Sequence, residues 1–469
     1  MKNKHMLIYL TATVILGVTL IILGIYYTTW KEVKITLASD YNELFTNEEL
    51  DRKGHTEELS EYTTDVSAAY QNKDGSKTLY VYSSPIRYLN SMGDLTMIDT
   101  RIANVRDKQL RKAGYIYTVA DSDIKSFYPK KLNEEKGILI KNTSLLSENE
   151  CSYEFGINTS KSKLGWYTER ENFICQDTNA IQYKDCFDNT ADIYFYPSSS
   201  GTNCEISFNR KPNENKITFW LKADGNTFDL SIEPGGYIVF KENKSQEIKA
   251  VIQKPLLKDK NGEISYDNSI KLSSQGGGLY LLEFCFDSDA DFVNATAYIS
   301  FEMRRESQPD NALYSNEPDL KYAYLRNYSV IGNSDNYGIG RLLIRYKFAK
   351  YFDLKADNIQ SCEFHMYSLN QGYEKLELLS VLEDWCSVTG NWNSSYKTGK
   401  ITSAASPVGN QITFDITNET KKWCDDESGQ AEHNGVLLKT ANENNGTNYI
   451  ILSNDSTLYN NYTEIKIKE

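Results

Sequence analysis

The chain has 469 residues, 40% of them apolar and 12% aromatic, with 51 Lys and Arg against 64 Asp and Glu and a formal net charge of −13. That length accommodates two or three domains, and the acidic balance argues against nucleic acid and against adhesion to anionic lipid, both of which need basic patches. Its 34 tyrosines and 18 phenylalanines favour strands over a helical bundle.

Leu7 to Tyr27 contains no charged residue and is about 20 residues long, enough for a helix to cross roughly 30 Å of hydrocarbon. Residues 1–30 are therefore read as a transmembrane anchor or uncleaved signal. Lys2, Lys4 and the α-amino group precede the run, and Lys31 and Lys34 follow it with Glu32 between them. This slight N-terminal excess of positive charge favours a cytoplasmic N-terminus and an exported body, a single-pass protein of the cell membrane. A cleaved signal peptide is the competing reading. Its apolar core is usually about 7–15 residues, followed by small residues, whereas the bulky Tyr26-Tyr27-Thr28-Thr29-Trp30 follow here. Both readings put the body outside the cell.

Residues 31–70 read as an acidic stalk, with Asn47 to Asp51 and Glu57 to Glu61 short of apolar periodicity; a short helix fits there, a packed domain does not. From about Thr78 short β-branched and aromatic runs alternate with Gly, Asn, Asp and Pro: Leu79 to Tyr82, Leu95 to Asp99, Asp192 to Tyr196, Ile217 to Leu221, Tyr237 to Phe240, Leu279 to Phe286 and Ala297 to Phe301. Residues 71–303 are expected to form one antiparallel β-sandwich domain, as a single body or two lobes. Residues 304–318, beginning Arg304-Arg305-Glu306, read as a polar linker. A second β domain, 319–469, follows, with strands at Arg341 to Phe348, Cys362 to Tyr367, Leu376 to Val381 and Ile412 to Ile416, the last alternating with Ile412, Phe414 and Ile416 on one face. Val436 to Leu438 and Tyr449 to Leu452 read as central strands, and the charged face of Glu464 to Lys468 suits a solvated or edge position. The fold class expected is all-β: a transmembrane helix followed by two antiparallel sandwiches.

None of the eight cysteines forms a CxxC pair, which argues against zinc. An even count in an exported body permits disulfides. Cys386 and Cys424 each follow a tryptophan, Trp385 and Trp423, and are the first pair expected. The four cysteines within 151–204 are expected to pair among themselves, leaving Cys285 and Cys362 free or buried.

The last 160 or so residues resemble the DNRLRE domain, a bacterial extracellular jelly-roll module. The resemblance rests on Gly340 to Tyr346, Ile359 to Phe364, Trp385 followed by Asn391-Trp392-Asn393, Phe414 to Thr417 with Trp423, Asn434 to Leu438 and Glu464 to Ile467. Cys362 stands where many members have a small residue, and the tryptophan-linked cysteines look like additions. Val81 to Tyr88, Gly93 to Asp99 and Ser126 to Pro129 resemble, over about 60 residues, the region preceding such modules in wall-associated RHS/YD-repeat proteins; no YD repeats follow. Some DNRLRE-like modules are classed as carbohydrate-binding, so the resemblance implies a jelly-roll C-terminal domain and a glycan as ligand class.

His5 precedes the apolar run, His55 lies in the stalk, His365 in a strand and His433 in an Asn/Gly loop, without metal-ligand spacing. No HExxH or GxSxG occurs, and Gly276-Gly277-Gly278 precedes a strand, so it reads as a turn and not a phosphate cradle. No catalytic residue, metal site or cofactor is assigned. Carboxylate pairs such as Glu383 with Asp384 are too common here to be informative; a glycan-active enzyme would need two carboxylates about 5–9 Å apart across a cleft. Trp392 and Tyr396, in a polar loop, and Tyr337, in Asn336-Tyr337-Gly338, are the candidate ligand-binding residues, because sugar rings stack on exposed aromatics. The competing reading is that Trp392 plugs one end of the sandwich, like Trp385 and Trp423. Asp/Asn loops also suit a structural Ca²⁺, though no EF-type loop is present. The function expected is non-catalytic binding by a membrane-anchored surface protein, with polysaccharide as ligand; the alternative is a structural or protein-interaction module with an envelope protein as partner.

Overall fold

A computed structural model describes residues 44–468 except 144–150, 160, 171–178, 234–235, 263, 266–267, 287–290, 304–309, 317, 320–327, 336, 346–353, 371–374, 386–389, 395, 425–433, 445–447 and 454–460. The expected anchor, the stalk up to residue 43, Cys175, Cys386 and His433 lie outside the described residues. Among the described residues no helix is long and apolar enough to cross a membrane.

The described strands pair antiparallel and assemble into three large sheets and a two-stranded ribbon. In the eight-stranded sheet, Lys216–Ala223 lies between Ser152–Ile157 and Leu279–Cys285, with Ile138–Asn142 beyond Ser152–Ile157. Period-two alternation sends Ile217, Phe219 and Leu221 inward. That inner face meets the eleven-stranded sheet: the rings of Phe155 and Phe301 stack with centroids 3.7 Å apart, and the Tyr128 hydroxyl lies 3.0 Å from Thr202 Oγ1. These two sheets pack face to face as an antiparallel β-sandwich.

The largest sheet draws on both ends of the described chain. Lys77–Tyr82 pairs with Tyr462–Ile467, which pairs in turn with Ile359–Ser368. Val436–Thr440 and Asn448–Ser453 lie inside the sheet, as their apolar runs predict. Tyr462–Ile467 also lies inside it, so of the solvated or edge position expected for it the edge is not found: Thr463, Ile465 and Ile467 enter the core while Glu464 and Lys466 face the other way. Charge on one face marks that face as solvated; it says nothing about the strand's two lateral edges.

Two expected boundaries are crossed. Asp310–Tyr314, placed in the linker, pairs with Gly338–Ile344 and buries Leu313 and Tyr314. The stalk is packed from residue 44 onward. Asn47–Lys53 is a helix closed by a capping box between Thr46 and Glu49 and by Gly54 at φ 79°. Ser67–Asn72 joins Lys77–Tyr82, with Ala69 in the main core and Ala68 and Tyr70 on the opposite face among Tyr80, Tyr82 and Phe45. Glu48, Asp51, Glu57 and Glu58, whose charge suggested a stalk, occupy the exposed side. One core cluster joins Leu79 and Val81, Val239 and Val251, and Phe364, Phe414 and Ile465, so residues on both sides of 304–318 share apolar packing.

Candidate functional site

The loop after Leu376–Val381 carries Trp385, Trp392 and Tyr396 over an apolar patch of Leu313, Leu343, Val381 and Leu437. Trp385 is buried, its indole N–H donating to the Asn434 carbonyl at 2.6 Å. Trp392 and Tyr396 are half-buried on the same patch. The Arg341 guanidinium lies 4.7 Å from the Trp392 ring and donates through Nε and Nη2 to both Glu443 carboxylate oxygens at 2.7 Å. Asn391 Oδ1 accepts from the Ser394 amide and hydroxyl, each at 3.0 Å, and Asn393 donates to Asp319 at 2.7 Å. Trp392 therefore has packing and a cation partner of its own and still presents part of its surface.

Tyr337 is not part of this patch. It is 3% exposed and stacks on Tyr314 in the main core with centroids 4.4 Å apart. Its polar neighbours suggested an exposed loop tip; packing turned the ring inward. The pair Cys386–Cys424 includes a residue outside the described set. Cys151, Cys186 and Cys204, expected in disulfides, are buried free thiols, as is Cys362. Burial pushes the Cys151, Cys186 and Cys362 thiols up to about 12, and Cys204 well above its ordinary value, which leaves them protonated and unreactive.

Both described histidines are structural. His55 is held by Asn72 Oδ1 at 2.6 Å and the Tyr80 hydroxyl at 2.8 Å. His365 stacks on Tyr462 with centroids 4.5 Å apart, its Nδ1 3.1 Å from Thr413 Oγ1. Burial, with Lys53 adding to it, pushes the His365 imidazole down to about 4. Among the described residues no group of three or more His, Cys, Asp or Glu side chains is placed to hold a metal.

A cleft of about 640 Å³ opens at one end of the eight-stranded sheet, lined by Leu139, Ser152, Glu154, Lys222, Asp224 and Asn226 together with the Gly277–Gly278 turn. Strand register builds it: Leu139 stands opposite Glu154, Glu154 opposite Lys222, and Lys222 opposite Leu279. In the row below, Trp220 lies over Gly156, where an added Cβ would fall 2.8 Å from the indole. Glu154 is turned away from Lys222: its Oε1 accepts from the Tyr115 hydroxyl and the Gly137 amide, both at 2.9 Å, and lies 3.5 Å from Lys136 Nζ. Asp224 accepts from Thr227 Oγ1 at 2.7 Å and the Asn226 amide at 3.0 Å. Donation from Thr227, then from Asn226, holds its carboxyl below the usual range. In the sequence only the triple-glycine turn was visible. Bringing Leu139, Glu154 and Lys222 together depends on register between strands up to about 80 residues apart, which no local pattern reports.

No known protein family matches the chain, and no curated protein does. Among solved structures, the N-terminal domain of a Streptococcus gordonii adhesin aligns over 88% of this chain and 92% of its own, at 8% identity and a TM-score of 0.15. BuGH86 in complex with neoagarooctaose aligns over 64% of this chain and 41% of its own, at 10% identity and a TM-score of 0.11. At such scores neither likeness carries an argument about fold or function.

Proposed function

We propose that the chain is an extracytoplasmic bacterial surface protein, held to the cell membrane through Leu7 to Tyr27 with its N-terminus cytoplasmic, whose β body binds without catalysis. Polysaccharide is the ligand class, in keeping with the DNRLRE-like pattern of the C-terminal region. The supporting observation is the joint placement of half-buried Trp392 and Tyr396 on one patch, ringed by Arg341, Glu443, Asn391 and Asn393. An aromatic platform with amide and charged groups at its rim suits the C–H faces and hydroxyls of a sugar. A glycan array probed with the full chain is expected to give binding that falls at least tenfold in Trp392→Ala, with the melting temperature measured alongside. Undiminished binding by a folded Trp392→Ala would remove the platform from the reading. Flotation with membranes that persists in high salt and is lost in detergent is expected for the anchor.

A second reading, an envelope protein as partner, draws on a different observation. Thr398–Ala405 ends the path of the largest sheet, and Ile401 on it, with Leu382 and Val408 near it, are 52%, 60% and 83% exposed. A free edge with apolar side chains is a template for strand pairing.

A further inference from the structure

We propose that the cleft at the end of the eight-stranded sheet binds a small zwitterion, a peptide of two or three residues with free amino and carboxyl ends, whose carboxylate meets Lys222 and whose ammonium meets Asp224. The site is on a different sheet from Trp392 and does not depend on glycan binding there.

Three observations carry this. Lys222 is exposed and, among the described residues, its ammonium makes neither an ion pair nor a hydrogen bond, although Glu154 stands directly opposite on the next strand. Cross-strand register would ordinarily pair those two charges. The Gly137 amide and Tyr115 hydroxyl, with Lys136 alongside, draw the carboxylate away and leave the Lys222 ammonium uncompensated in an acidic protein. Next, Asp224 follows Lys222 by two residues yet, among the described residues, pairs with no cation; its donors are the neutral Thr227 hydroxyl and Asn226 amide. One cleft therefore presents a cation and an anion that do not neutralise each other, complementary to a ligand with separated opposite charges. Finally, the volume of about 640 Å³ lies within the roughly 300–1,000 Å³ of small-molecule sites, and Leu139, half-buried between the polar groups, offers apolar contact for a short side chain. A phosphate dianion fits less well, because the cleft is lined by one lysine and two carboxylates.

The test is calorimetric titration of the full chain with trialanine and with its N-acetylated, C-amidated and doubly blocked forms. Free trialanine is expected to bind at least tenfold tighter than either singly blocked form. Lys222→Gln, on an exposed side chain, is expected to keep the fold and to lose the discrimination between acid and amide while keeping that between amine and acetamide; Asp224→Asn is expected to do the reverse. Binding of all four peptides alike, no binding of trialanine at millimolar concentration, or full discrimination retained in both variants would each overturn the proposal. A neutral trisaccharide competing as well as trialanine would also overturn it, by showing that hydroxyls and not charges are read. Trp392→Ala is expected to leave the peptide titration unchanged, so this site and the glycan platform stand or fall separately.

Discussion

At the scale of single residues, two glycines on and beside the strands that carry the cleft make room for one indole. Trp220 lies across Gly156 and Gly137 and donates its N–H to the Asn133 carbonyl at 2.9 Å. A Cβ on Gly156 would meet indole atoms at 2.8 Å, whereas one on Gly137 would meet the Phe155 carbonyl oxygen at 2.1 Å. A side chain gives way more readily than backbone, so Gly156→Ala is expected to cost about 1–3 kcal/mol and Gly137→Ala more, read from urea unfolding with tryptophan fluorescence. The opposite order would mean that Trp220 does not set the packing. At the same scale, a thiol reagent added to native protein is expected to leave Cys151, Cys186, Cys204 and Cys362 unmodified until denaturant is added, because burial keeps each protonated and inaccessible. The expectation of disulfides within 151–204 followed from the even count and exported location. What overrode it is that these side chains face core positions, and count alone carries no direction.

At the scale of elements, the strand Ile359–Ser368 shows how a face and a core are built together. Cys362, Phe364 and Met366 enter the core, while Glu363 and His365 face Glu464 and Tyr462 across the next strand. His365 is 6% exposed and its imidazole is depressed to about 4 from an unfolded value of about 6.5. A histidine depressed in the folded state contributes stability that is complete above the unfolded value and drains away as pH falls toward the folded one. Stability is therefore expected to fall between about pH 6.5 and pH 4, by roughly 3 kcal/mol from this group. His55, lowered mainly by its burial, adds in the same direction. Urea midpoints across that range, compared between the native chain and His365→Gln, check this; equal slopes in both would exclude His365 as the source.

At the scale of the whole molecule, the described residues from 44 to 468 fall in one compact unit, closed by the hydrogen-bonded ladder from Lys77–Tyr82 to Tyr462–Ile467. A fragment of residues 304–469, the extent of the expected linker and second domain, would expose that ladder edge and the apolar surface of Ile465 and Phe364 left by removing Leu79 and Val81. Such a fragment is expected to aggregate or self-associate on size exclusion, while the full chain does not. A monomeric, cooperatively folded fragment would show that the shared sheet contributes little.

Much of this was legible in the residues themselves. Alternation in Ile217 to Leu221 and Ile412 to Ile416, with Gly, Asn and Pro between the runs, determined strands, inward faces and the all-β class, because period-two burial is a local property of the chain. The apolar run from Leu7 to Tyr27 led to the expectation of an anchor, on residues outside the described set. Tertiary structure alone decided which strands became neighbours. It buried Tyr337 and left Trp392 half-buried although both lie among asparagines, packed the segment after 44 with its acidic residues on the exposed side, and set Glu154 beside Lys222 without pairing them. Register and long-range pairing arise from the simultaneous burial of faces distant in sequence, and a reading confined to neighbours along the chain does not contain them.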